Sequence, residues 1–168
     1  MNKADITLCF APMMSIWPNA EVFKSTEEQL DRTIEIWARC LSDIPLWLGK
    51  RTAMKCCKEC HFFPTPAEFR EKATEIRAEE LTKMSTMCSI VNNALFMENS
   101  LDRYYVTLPN NSPIKLVIDM AGGPKELVHT SEIFGNSVDR SKFETAYFKA
   151  VESVELKALS KAGRVALR

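Results

Sequence analysis

Cys56-Cys57-Lys58-Glu59-Cys60-His61 is the part of the chain densest in groups that bind metals or exchange electrons. The C-x-x-C of Cys57 and Cys60 beside His61 invites a zinc reading. Zinc needs four ligands from converging segments, and no second C-x-x-C or H-x-x-x-H occurs. Placed on a helix at about 100° per residue, Leu46, Ala53, Cys57 and Cys60 share one arc, which makes the thiols small apolar core groups. Buried thiols are therefore the expectation, with metal binding and redox chemistry as the competing readings. No metal site is assigned.

The same helix carries Arg51, Lys55 and Lys58 at spacing i, i+4, i+7 on the opposite arc, with Lys50 nearby. A basic stripe is a solvated face, or a contact for phosphate or an acidic protein surface. The next helix shows the reverse pattern in Glu68, Glu71, Glu75 and Glu79, with Glu68–Lys72 and Glu79–Lys83 as i, i+4 pairs. Charge matching within the chain could consume both stripes. Near the C-terminus Lys157, Lys161, Arg164 and Arg168 have no acid among them, a pattern that suits a helix dipole or a nucleic-acid phosphate.

Catalytic groups are scarce. His61 sits at a helix end and His129 in the polar stretch HTSE, and neither has a nucleophile elbow or H-E-x-x-H around it. The five glycines form no G-x-x-x-x-G-K-[ST] or G-x-G-x-x-G, so no P-loop or dinucleotide fingerprint is present and no cofactor is expected. An enzyme is the least favoured class. Twenty-two basic side chains balance twenty-two acidic ones over 168 residues, so no global basic field advertises nucleic acid.

The apolar share of 46% supports one globular domain or two small ones. No apolar run has the length of a membrane span. The first twenty residues make a poor secretory signal, because Asp5 offsets Lys3 and Pro12 interrupts the apolar run. Six cysteines crowded around one segment do not form a spread disulfide framework. A reduced cytoplasm is the expected setting.

Helix signals dominate. A short helix is expected over 6–14, with Pro12 near its end. Ser25-Thr26-Glu27-Glu28 reads as a capping box for a helix carrying Leu30, Ile34, Trp37 and Leu41. Ser42-Asp43-Ile44-Pro45 closes that helix and opens the next, which runs to about Cys60. Thr65-Pro66-Ala67-Glu68 joins a capping box to a first-turn proline and launches a helix with Phe69, Ala73 and Ile76 inward. In TKMSTMCS, residues 82–89, the apolar pattern lapses, and a boundary is placed there between domains 1–84 and 85–168. Beyond it, 90–98 reads as helical, Tyr104-Tyr105-Val106-Thr107-Leu108 is β-like, Pro113 to Ala121 is a helix ended by Gly122-Gly123, and a last helix from near Asp139 aligns Phe143, Tyr147, Ala150, Val154 and Ala158. The expected fold is mainly α, a small helical bundle followed by a second small helical domain.

The order of these signals carries a resemblance. Trp17-Pro18-Asn19, a helix with Trp37 ending in Leu41-Ser42-Asp43-Ile44-Pro45, then Ala53, then Phe63-Pro64-Thr65-Pro66-Ala67-Glu68, resembles the N-terminal helical domain of phage replicative-helicase loader and inhibitor proteins over residues 4–80. Thr65 replaces the second proline of that family's F-P-P element, with Pro66 shifted by one. The second half resembles more loosely a small phage and prophage domain of unknown function, through Tyr105-Val106, Pro113-Ile114, Ala121-Gly122-Gly123, Phe143 and Tyr147, with Pro124 where that domain has Trp.

The resemblance implies a non-enzymatic replication accessory protein in a bacterial host, binding a replicative DNA helicase to load or restrain it. Single-stranded DNA or a replication initiator would be further partners, and no membrane is expected. Helical geometry nominates Arg51, Lys55, Lys58, Glu68, Glu71 and Glu75 for the partner contact, and the C-terminal cations for nucleic acid. Trp37, Phe63 and Phe69 are expected in the core. The alternative is a DNA-binding replisome organiser or transcription regulator, in which helices meeting at Phe62-Phe63-Pro64 mimic a helix-turn-helix.

Overall fold

The computed structural model describes the backbone of residues 1–96, 100–110, 112–133 and 138–166, and the side chains within these spans except at 96, 100, 130–133 and 155–166. Among the described residues the fold is mainly α, with nine helices and no strand. Contacts gather into two compact units, Met1–Glu80 and Leu81–Arg168.

The first unit begins with α1, Lys3–Ile16. Asn2 starts it with a reciprocal cap, its side chain accepting from Asp5 N–H at 3.0 Å while its own N–H donates to Asp5 at 2.9 Å. Pro12 does not end α1, which continues to Ile16. The carbonyl four residues back belongs to Leu8, which is exposed, so water can take the bond that proline cannot make.

After the single turn α2, Glu21–Lys24, comes α3, Glu27–Cys40. Its cap is one residue later than the sequence implied: Thr26 pairs reciprocally with Gln29, and the Ser25 hydroxyl donates backward to Val22 O at 2.6 Å. Helix α4, Leu46–Glu59, opens at Pro45. It packs on α1, which also packs on α3. Gly49 permits the approach, since a Cβ there would lie 2.3 Å from Met1 Sδ and 3.2 Å from Cys9 Sγ. The Met1 ammonium donates to Leu41 O, Ser42 O and Ile44 O at 2.8–3.0 Å and satisfies carbonyls beyond the end of α3. Phe10, Phe23, Trp37, Phe63 and Phe69 meet largely edge to face around this core.

Helix α5 spans Pro66–Phe96 and starts with the expected Thr65–Glu68 capping box. It corrects the expected lapse at 82–89, because the helix is continuous through that stretch, and the division between units falls within α5 between Glu80 and Leu81, four residues before the expected boundary. Met84, Cys88 and Val91 form a thin buried stripe at helical spacing. The polar residues between them serve the helix, with Thr86 donating to Thr82 O and Ser89 to Ser85 O, both at 3.0 Å.

The second unit adds α6 (Ser100–Thr107), α7 (Pro113–Met120), α8 (Pro124–Ile133) and α9 (Arg140–Ala166). The β-like reading of Tyr104 to Leu108 is overturned: Leu101, Tyr104, Tyr105 and Leu108 face the core at helical spacing, and that packing outweighs aromatic and β-branched propensity. HTSE, read as an exposed polar stretch, falls within α8. Gly122 and Gly123 take φ of 102° and 87°, and Gly123 N–H donates to Ile118 O at 2.9 Å, closing α7. Asp139 caps α9 by accepting from Ser141 and Lys142 N–H. Phe143, Tyr147 and Ala150 are buried, Val154 is half exposed, and the Ala158 side chain lies outside the described residues.

Candidate interaction surface

Helix α4 turns a buried arc of Trp47, Leu48, Thr52, Ala53 and Cys56 toward the core. This rotation corrects the arc read from the sequence by about one residue: Cys56 is the fully buried thiol, while Cys57 and Cys60 are only half buried. Burial pushes the Cys56 thiol up to about 12 and raises Cys57 as well. No group of three His, Cys, Asp or Glu among the described residues is arranged to hold a metal ion.

The same rotation aims the basic stripe at α5. Arg51 meets Glu80 at 3.0 Å, Lys55 meets Glu75 at 3.0 Å and Glu79 at 3.4 Å, and Lys72 reaches back to Glu59 at 3.0 Å. The paired carboxylates hold the Lys55 and Lys72 ammonium groups above their ordinary range, and Glu75 is lowered in turn. Arg51 also lies over the Trp47 ring, 5.7 Å from its centroid. Arg51, Lys55 and Glu75, three of the six nominated contact residues, thus stabilise the unit internally.

Glu68 is taken by its cap with Thr65, which lowers its pKa, and Lys72 pairs with Glu59 and Glu75 instead of Glu68. Lys58 and Glu71 are exposed and make no ion pair among the described residues. The side chains of Lys157, Lys161 and Arg164, and all of Arg168, lie outside the described residues. Both His61 and His129 are exposed.

A different surface stands out once the chain is folded. Ile16 at the end of α1 and Trp17, Pro18, Asn19 and Ala20 after it line, with Phe62 and Phe63, an open groove of about 310 Å³. Phe63 anchors one side in the aromatic core, 6.1 Å from the Trp17 ring. Trp17 Nε1–H donates to His61 O at 3.3 Å and fixes the indole. Phe62 is 83% exposed, and Ile16 is 53% exposed. Both exceed what an ordinary solvated loop requires of large apolar side chains. The sequence offered only the Trp17-Pro18 and Phe62-Phe63-Pro64 punctuation here, with nothing to join them.

No helix among the described residues is long and apolar enough to cross a membrane. Family models, curated proteins and solved structures yield no match to the chain.

Proposed function

We propose that Met1–Glu80 is a non-enzymatic protein-docking module and that its contact is the apolar corner formed by Ile16, Trp17 and Phe62. The exposed Phe62 ring, lining one groove with a fixed indole, carries this reading, because aromatic side chains at a groove are common anchors of a protein interface. With Arg51, Lys55 and Glu75 occupied inside the unit, the corner takes the role first given to the charged stripe, and Lys58 is left as an exposed cation two residues before Cys60. The proposed partner is a replicative DNA helicase, as the order of Trp17-Pro18, Asp43-Ile44-Pro45 and Phe63-Pro64-Thr65-Pro66 implies by resemblance. Phage replication in a bacterial cytoplasm is the corresponding setting.

The test is a binding titration of the full chain against host and phage replicative helicases. Phe62→Ser and Ile16→Ser should each weaken binding at least tenfold, and Phe62→Ser should do so without lowering the melting temperature, since the Phe62 ring is 83% exposed. Unchanged binding in both variants removes the corner from the interface. Binding of a specific duplex in place of any helicase establishes the DNA-binding regulator instead.

A further inference from the structure

Beyond its first turn, helix α1 is uncharged on the side that faces water. Ile6, Cys9, Phe10 and Met13 fill its buried side. The opposite side presents Ala4, Thr7, Leu8, Ala11, Met14 and Ser15, all exposed, and no charged residue occurs between Asp5 and Glu21. A surface helix normally carries charge on its outer face, and one without charge on either face is ordinarily covered on both. The two charged side chains of α1 are already used: Lys3 pairs with Asp31 and Glu35, and Asp5 is held in the cap with Asn2.

Helices α1 and α4 run parallel. Met1 is tied to the carbonyls of Leu41 and Ile44 just before α4, and Trp17, just after α1, is tied to that of His61 just after α4. At about 100° per residue, Gly49 meets α1 while Arg51 and Lys55 meet α5, which leaves Lys50, Met54 and Lys58 as one outward ridge at spacing i, i+4, i+8. Met54 is half exposed, and Lys50 and Lys58 make no ion pair among the described residues. Two cations about 12 Å apart along the axis thus border a face with no acid to answer them.

We infer that the outer face of α1 and this ridge of α4 together seat an amphipathic helix of the partner protein, its apolar stripe against Leu8 and Ala11 and its acidic residues, seven or eight positions apart, over Lys50 and Lys58. Charge complementarity selects this occupant. A second copy brings the same surplus of cations, and an anionic bilayer gains little from two lysines. An acidic amphipathic helix covers the apolar face and answers both charges at once. At Ile16 the face runs on into the aromatic corner. The identity of the protein that supplies the helix therefore rests on the docking reading above, while the chemistry of the helix does not.

The experiment titrates the full chain, by fluorescence anisotropy, against a labelled peptide of about eighteen residues, five helical turns, with leucines on one face and two glutamates eight positions apart on its flank. The same peptide with lysines for the glutamates is the comparison. The acidic peptide should bind at least tenfold more tightly, and Lys50→Glu combined with Lys58→Glu should reverse that preference. Leu8→Gln should weaken both peptides, and Ala11→Gln, at an exposed position, should do the same if Leu8→Gln lowers the melting temperature. Equal affinity for the two peptides, a preference unmoved by the double reversal, or no peptide binding overturns the inference. So does a dimer that Ala11→Gln dissolves, which gives the face to a second copy, or flotation with phosphatidylserine vesicles in place of peptide binding, which gives it to a membrane. Helicase binding lost in Phe62→Ser but unchanged by the double reversal fails the α1 face alone. The acidic peptide binding with the expected charge dependence, when no helicase binds the parent, fails the helicase reading alone.

Discussion

Arg51 Nη1 lies 3.0 Å from Glu80 Oε1, and the carboxylate is only 5% exposed while the guanidinium retains a third of its surface. A nearly buried anion is thereby matched by a cation that still touches water. Reversing the cation sets a like charge against a nearly buried carboxylate, which costs more than losing an exposed pair.

Arg51→Glu should accordingly lower stability by about 2–4 kcal/mol, the upper end reduced because Arg51 is partly solvated. Lys58→Glu, exposed on the same helix, should stay within about 0.5 kcal/mol of the parent. Arg51→Met combined with Glu80→Leu should recover most of the loss, since an apolar pair leaves no charge buried. Urea unfolding of the four proteins measures this, and equal stability for Arg51→Glu and Lys58→Glu would contradict it.

Gly49→Ala should cost about 1–3 kcal/mol, the usual range for overpacking. Its new methyl meets Met1 Sδ at 2.3 Å and Cys9 Sγ at 3.2 Å, and of these only the Met1 side chain can swing aside. A thermal melt at or above that of the parent would show that α1 and α4 have slack at this crossing.

The Asp43–Arg70 pair predicts a narrow acid transition. Arg70 donates to both Asp43 oxygens at 2.8 Å and depresses the carboxyl from 3.8 to about 2. A depressed carboxyl contributes stability above its unfolded pKa and loses it as pH falls through the folded one. Parent and Asp43→Asn should therefore differ in melting temperature at pH 5, and the difference should shrink through about pH 4 to pH 2 and vanish near pH 1. A difference undiminished at pH 2 would mean the carboxylate charge is not responsible.

Continuity of α5 predicts that residues 82–89 resist proteolysis as well as 70–80 do. Ser85→Pro should cost about 3 kcal/mol or more, because it removes a helical donor and clashes with the carbonyl of Leu81. Preferential cutting of the parent at 82–89 would restore the linker first read there.

Signals that act over one turn were readable in the sequence: the Thr65–Glu68 box, Pro113 at its helix start and Gly122-Gly123 after α7 all occur where the residues imply. Rotation was harder to read. Cysteine is weakly apolar, so nothing local separates a face through Cys57 and Cys60 from one through Cys56, and the choice is made by Trp47, Leu48 and the α1 side chains packed there. The charged stripe was legible as a stripe, and its pairing with α5 was one of the outcomes it allowed. The aromatic corner was not legible, because Trp17 and His61 are 44 residues apart and only the fold brings them together.

The core of the second unit collects Met84 and Val91 from α5 and Phe143, Tyr147 and Ala150 from α9. Its earliest and latest helices therefore share one apolar interior, and no subset in between can close it. On the ribosome such a unit must wait for nearly its whole length to emerge, whereas the aromatic cluster of the first unit is complete once Phe69 has been made. A chain that has emerged only as far as Val91 would already hold its first core but expose the apolar stripe of α5, which makes that interval the one most dependent on a chaperone.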